Sequence, residues 1–127
     1  MGDLRPVILI VEDDAHLAEM YQERFEKEKF IVEMVAYGDK ALQKIAQEKP
    51  DIVLLDLMIP GKGGIEVLQI IKSNPMYKDI PVIILTAYPR DDFKRLANSA
   101  GAVEFLSKSE VMPGQVVEKV KKIIGWK

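Results

Sequence analysis

Five short apolar runs punctuate the chain: VILIV at 7–11, FIVEMV at 30–35, DIVLL at 51–55, PVIIL at 81–85 and VEFL at 103–106. Each has the length of a strand, and the segments between them carry helical spacing. Leu17, Tyr21 and Phe25 recur at every fourth position. Ala41, Leu42, Ile45 and Ala46 make one stripe, and Ile65, Leu68 and Ile71 another. Val116, Val117, Val120, Ile123 and Ile124 form a regular i, i+1, i+4, i+7, i+8 face, with Pro113 near the first turn of that helix. The stretch 89–98 offers only Phe93, Leu96 and Ala97, which predicts the loosest helix.

Strands that alternate with helices through short connections predict an α/β fold. The expected architecture is a doubly wound five-stranded parallel sheet, (βα)5, with helices on both faces. The nearly unbroken apolar character of runs one, three and four fits strands buried on both sides. In such sheets ligands bind at the carboxyl ends of the strands. There the sequence places Glu12, Asp13 and Asp14 after the first run, Asp56 after the third, Thr86 after the fourth, and Ser107 with Lys108 after the fifth. The second run ends in Ala36-Tyr37-Gly38, with nothing reactive. Carboxylates crowded together repel one another. Oxygen ligands in that arrangement suit a hard cation such as Mg²⁺, which commonly also holds a phosphate. Lys108 and Thr86 would complete the phosphate's surroundings.

Composition narrows the class. A length of 127 residues suits one domain, with enough core to fold without staples. The absence of cysteine excludes disulfides, thiolate metal sites and cysteine nucleophiles. The N-terminus has no signal-peptide pattern, and no apolar run approaches the ~20 residues of a membrane helix. A cytoplasmic protein without membrane insertion is expected. Eighteen Lys plus Arg against twenty Asp plus Glu give a net charge of −2, which lacks the basic footprint of direct nucleic-acid binding. No linker or low-complexity tract interrupts 1–127, so a single domain is expected.

Isolated residues carry plainer meanings. Asp14 suits the N-cap of the first helix, but capping does not account for three acids in a row. His16, the single histidine, fits a surface position. The GKGG at 61–64 lacks P-loop spacing and is expected to be a flexible loop, with Lys62 solvated.

Four blocks in order, LIVEDDA (9–15), DIVLLDLMIPGKGG (51–64), PVIILTA (81–87) and AGAVEFLSK (100–108), carry a resemblance over essentially the whole chain. It resembles a response-regulator receiver domain of two-component signalling, of the chemotaxis-regulator kind. The resemblance implies a flavodoxin-like strand order 2-1-3-4-5 and a single receiver domain without an output domain. It implies Asp56 as phosphoacceptor and Mg²⁺ as cofactor, with Mn²⁺ as an alternative ion. Asp13 would bind that ion directly, Glu12 through water, and Met58 through its backbone carbonyl. Thr86 would hydrogen-bond the phosphoryl group, Lys108 would pair with it, and Phe105 would be the aromatic switch residue. Met58 and Tyr88 would flank the path of the hydrolytic water. Pro60 and Gly64 match the loop after the phosphoacceptor, where glycine permits unusual backbone angles.

The implied partners are a sensor histidine kinase or phosphotransfer protein and a downstream protein that reads helix four, strand five and helix five. No separate substrate would be turned over. Two alternatives remain beside this one. A degenerate receiver acting only as an interaction module would lack the acids, the acceptor or the lysine, and all are present. An aspartyl-phosphate phosphohydrolase would carry a second Asp two residues after the nucleophile, where this chain has Met58. One departure concerns Lys108-Ser109, where the family pattern has a proline after the lysine and typically a cis bond. A cis bond before a non-proline residue costs about 2.5–4 kcal/mol, so trans is expected here.

Overall fold

A computed structural model describes residues 3–127 of the chain. The strands are β1 (Val7–Val11), β2 (Ile31–Val35), β3 (Ile52–Leu55), β4 (Val82–Thr86) and β5 (Glu104–Ser107), and the helices are α1 (Ala15–Lys27), α2 (Gly38–Gln47), α3 (Gly64–Ser73), α4 (Asp91–Ser99) and α5 (Pro113–Ile124). The strands form one sheet in the order β2-β1-β3-β4-β5, and every pairing is parallel. Strand order and class agree with the expectation.

The alternation of side chains along the strands builds two cores. Leu9, Val11, Val53, Leu55, Val82 and Ile84 point to the layer formed by α2, α3 and α4. Ile8, Ile10, Ile52, Leu54, Ile83 and Leu85 point to the layer formed by α1 and α5. This two-sided burial is why β1, β3 and β4 read as continuous apolar runs. Each fully buried Ile or Leu contributes roughly 1.5–3 kcal/mol relative to exposure.

The boundaries moved in places, each for a local reason. Thr86 is the last residue of β4 rather than the first beyond it, and Ser107 likewise closes β5. Asp51 stands outside β3, where its carboxylate accepts the Val7 amide at 2.7 Å. Ala46 lies exposed, outside the buried stripe of α2. Leu96 also faces solvent, leaving Ala97 as the buried residue of α4, which fits the weak pattern of that segment. Pro113 occupies the first position of α5, preceded by a Met112 amide that donates to Gln115 Oε1 at 2.7 Å. No peptide bond among the described residues is cis, so Lys108-Ser109 is trans, as its energetics require. No helix among the described residues is long and apolar enough to cross a membrane.

Candidate active site

The carboxyl ends of β1 and β3 lie side by side, with Val11 paired to Leu55, so the residues that follow them meet. Glu12, Asp13 and Asp56 bring one carboxylate oxygen each within 4.8 Å of one another. Asp56 is 5 % exposed and Glu12 is also buried, whereas Asp13 faces solvent. Asp14 lies apart as the cap of α1, its carboxylate accepting from the His16 and Leu17 amides at 3.1 and 3.2 Å. His16 is on the surface.

From the end of β5, Lys108 reaches across to this cluster. Its Nζ lies 2.6 Å from Glu12 Oε1 and 2.8 Å from Asp56 Oδ2. The ammonium therefore offsets part of the carboxylate repulsion without any added cation. The second oxygen of each carboxylate also has a donor. The Met58 amide donates to Asp56 Oδ1 at 3.1 Å, and the Asp14 amide to Glu12 Oε2 at 3.1 Å. Burial pushes the Glu12 carboxyl above its ordinary value, against the lowering effect of the Lys108 hydrogen bond. Burial alone would push the Lys108 ammonium down, but its hydrogen bonds to Asp56 and Glu12, with their charges, raise it, so it stays charged.

Three carboxylates against one ammonium leave a deficit of positive charge in an all-oxygen donor set. That chemistry fits a hard divalent cation, and it offers no soft ligand for other metals.

The other expected residues border this cluster. Thr86 is fully buried, its Oγ1 accepting the Tyr88 amide at 3.1 Å, while its carbonyl accepts the Lys108 amide at 2.8 Å. The hydroxyl proton of Thr86 is thus left to donate. The side chains of Met58 and Tyr88 are both about half exposed. Phe105 is half-buried on the α4 side of the sheet.

The loop after Asp56 is tied down more than its glycines suggest. The Lys62 amide donates to Asp39 Oδ1 at 3.3 Å, and its ammonium pairs with Glu66 at 3.1 Å. Gly61, not Gly64, carries the positive φ of that loop, +78°. Gly64 serves another purpose, because an added Cβ there would lie 2.5 Å from Asp56 O and from Leu57 Cα. The close backbone approach, and not its own conformation, requires glycine.

Sequence reading missed two contributors. One is the amide of Asp14, which braces Glu12. The other is Tyr21, whose spacing reads as one position of an apolar stripe and which lines a small cavity with Glu12 and Asp56. Its signal was a polar-tipped side chain in that stripe.

Comparison with known proteins matches these features. Residues 8–121 match the family described as response regulator receiver domain. The DNA-binding response regulator MtrA of Mycobacterium tuberculosis is 34% identical over 121 residues, covering 95% of this chain and 51% of the relative. The chain thus spans about half the length of the curated relatives it matches. A response regulator structure from Chloroflexus aurantiacus superposes with a TM-score of 0.88 at 31% identity, covering 95% of this chain and 98% of the other. The Mn²⁺-bound form of response regulator Rcp1 superposes with a TM-score of 0.83 at 29% identity, covering 92% of each. Fold, acidic cluster and family match agree, and the chain belongs to the response regulator receiver domain family, a (βα)5 unit that works as a phosphorylation-based switch.

Proposed function

We propose that Asp56 is the residue that takes the phosphoryl group, from a phosphohistidine on a sensor histidine kinase or phosphotransfer protein. The observation that carries this is the pairing of the buried Asp56 carboxylate with Lys108 at 2.8 Å, inside a cluster that also holds Glu12 and Asp13. An Asp56 carboxylate oxygen attacks phosphorus, the P–N bond breaks, and the imidazole leaves with the electron pair. Phosphoryl transfer of this kind needs mainly positioning and charge neutralisation. Lys108 exchanges a carboxylate partner for phosphoryl oxygens, and Thr86 donates its hydroxyl proton to one of them.

The cation would be Mg²⁺, with Mn²⁺ as an alternative; Asp13, Asp56 and the Met58 carbonyl would hold it, with Glu12 acting through water. The Mn²⁺-bound relative supports a divalent ion here. When bound, it supplies further neutralisation of the phosphoryl oxygens. Water later attacks phosphorus, the aspartyl O–P bond breaks, and Asp56 is restored with release of inorganic phosphate. The chemistry falls on the chain's own carboxylate, and no separate substrate is turned over.

The new charge and acceptor oxygens draw Thr86, and Phe105 turns into the space vacated. The α4, β5 and α5 surface then shifts in population toward the form that a downstream protein reads. Residues 1–127 are assigned to one receiver domain in the cytoplasm. The mycobacterial relative is named for DNA binding, but a net charge of −2 supports no such role for this unit itself.

Intact mass after incubation with a small phosphodonor tests the assignment. A gain of one phosphoryl group with Mg²⁺, and none with EDTA, is expected. No gain in either condition would refute it.

Met58 and Tyr88 bring no carboxylate or amide to orient the hydrolytic water, so the phosphoryl group should be comparatively long-lived. Met58→Asn with Tyr88→Glu is expected to shorten its half-life, followed as decay of the phosphorylated mass. An unchanged decay rate would remove the idea. Phe105→Ala should keep phosphoryl uptake while weakening the partner response. If loss of thermal stability dominates instead, Phe105 is only part of the core.

A further inference from the structure

Beneath the acidic cluster, on the side of the sheet that faces α1, lies a cavity of about 10 Å³. It is bounded by Glu12, Asp56 and Tyr21 and closed by Ile10, Leu54 and Leu85. The space suffices for one water at most. Tyr21 ends a short aromatic column. Phe30 meets Phe25 edge-on with centroids 5.1 Å apart, and Phe25 meets Tyr21 at 6.2 Å. The column fixes the Tyr21 ring, and the residue is 4 % exposed.

For packing alone, Phe or Leu would serve this position, so the hydroxyl calls for its own account. Tyr21 Oη takes part in none of the hydrogen bonds that knit the cluster. It is not sealed from water either, since among the described residues every fully sealed side-chain nitrogen or oxygen has a partner. Burial pushes the phenol above its ordinary value, with Arg24 and Lys108 drawing it down and Glu12 pushing it up. The oxygen therefore keeps its proton and is a donor.

The two carboxylates depend on Lys108 to different degrees once the site is in use. In the resting arrangement Glu12 has two donors, Lys108 and the Asp14 amide. A bound cation would repel the Lys108 ammonium, and phosphoryl oxygens would compete for it. Glu12 would then keep the Asp14 amide as its one protein donor among those that reach it at rest. We propose that Tyr21 is a positioning residue for the switch chemistry, its hydroxyl donating to the Glu12 carboxylate, directly or through one water in the cavity, when Lys108 turns away. The proposal rests on the assignment of Glu12, Asp56 and Lys108 made above.

Tyr21→Phe removes one oxygen and keeps the aromatic column. Mg²⁺ affinity measured by calorimetry is expected to fall about tenfold, the low end for losing a hydrogen bond to a group that serves a metal. The thermal midpoint in EDTA should stay within about 2 °C, because Lys108 still covers Glu12 in that state. Phosphoryl uptake should need correspondingly more Mg²⁺ and recover at saturation. Unchanged Mg²⁺ affinity in Tyr21→Phe would overturn the proposal, whether or not the midpoint moves. A wild-type protein that binds no Mg²⁺ and takes up no phosphoryl group would refute the switch assignment itself, and this proposal with it.

Discussion

Asp56→Asn is expected to lose phosphoryl uptake altogether while keeping its fold. The amide has nearly the shape of the carboxylate, and its oxygen can still accept the Met58 amide that now lies 3.1 Å from Asp56 Oδ1. What disappears is the anionic oxygen that attacks phosphorus. The side-chain NH₂ would face the Lys108 ammonium, donor against donor, so that contact is lost. Lys108 retains Glu12 at 2.6 Å, which limits the cost to roughly 1.5–3 kcal/mol, the range for one hydrogen bond to a charged group. Intact mass should show no phosphorylated species at any Mg²⁺ concentration, and circular dichroism an unchanged helix content. Retention of phosphoryl uptake would move the acceptor elsewhere.

Asp13→Ala separates metal from acceptor. Asp13 is exposed and has no part in the Lys108 pair, so its removal leaves the buried contacts alone. It also relieves like-charge repulsion on Glu12 and Asp56, so stability in EDTA should hold or rise slightly. Mg²⁺ affinity and the rate of phosphoryl uptake should both fall. Normal uptake by Asp13→Ala in the presence of Mg²⁺ would show that Asp13 holds no metal.

The sheet and its order were legible because two-sided burial imposes a simple pattern. Ile8 to Val11 and Ile52 to Leu55 alternate between two apolar layers, so every position must be apolar. The strand-end rule then places Glu12, Asp13, Asp56 and Lys108 at one edge from the sequence alone. The electrostatics of that edge were less legible. Crowded acids pointed to a cation, yet Lys108 already bridges Glu12 and Asp56, a contact between residues 96 and 52 positions apart that local pattern cannot give. Tyr21 was hidden for the opposite reason. Its spacing from Leu17 and Phe25 is that of a core residue, and its ring is one. Only the third dimension brings it to the cavity that Glu12 and Asp56 also line. The glycines of the loop also needed coordinates, because a close approach leaves no trace in local backbone preference.

Gly64→Ala is expected to damage both stability and site. Gly64 opens α3 directly behind the phosphoacceptor, and its amide donates to Leu57 O at 3.1 Å. A methyl group there would lie 2.5 Å from Asp56 O and Leu57 Cα, a distance that backbone atoms cannot accommodate in place. Either the start of α3 or the Asp56-Leu57 peptide has to shift. Overpacking of this kind costs typically 1–3 kcal/mol, and the absence of a yielding side chain puts Gly64→Ala at the upper end. For a domain of this size that corresponds to a fall of roughly 5–15 °C in the thermal midpoint. A displaced Asp56 would also lie out of line with Lys108, so phosphoryl uptake should slow well beyond what the unfolded fraction explains, even at temperatures where the variant is fully folded. The neighbouring Gly63 provides the control. Nothing lies within 4 Å of a Cβ built there, and it stands at the N-cap of α3 without a side-chain hydrogen bond. Gly63→Ser should therefore be neutral or stabilising by about a few tenths of a kcal/mol. Thermal melts of the two variants, each paired with its uptake rate, decide the matter. Equal midpoints would mean that the backbone behind Asp56 yields freely, and that Gly64 has no part in holding the acceptor.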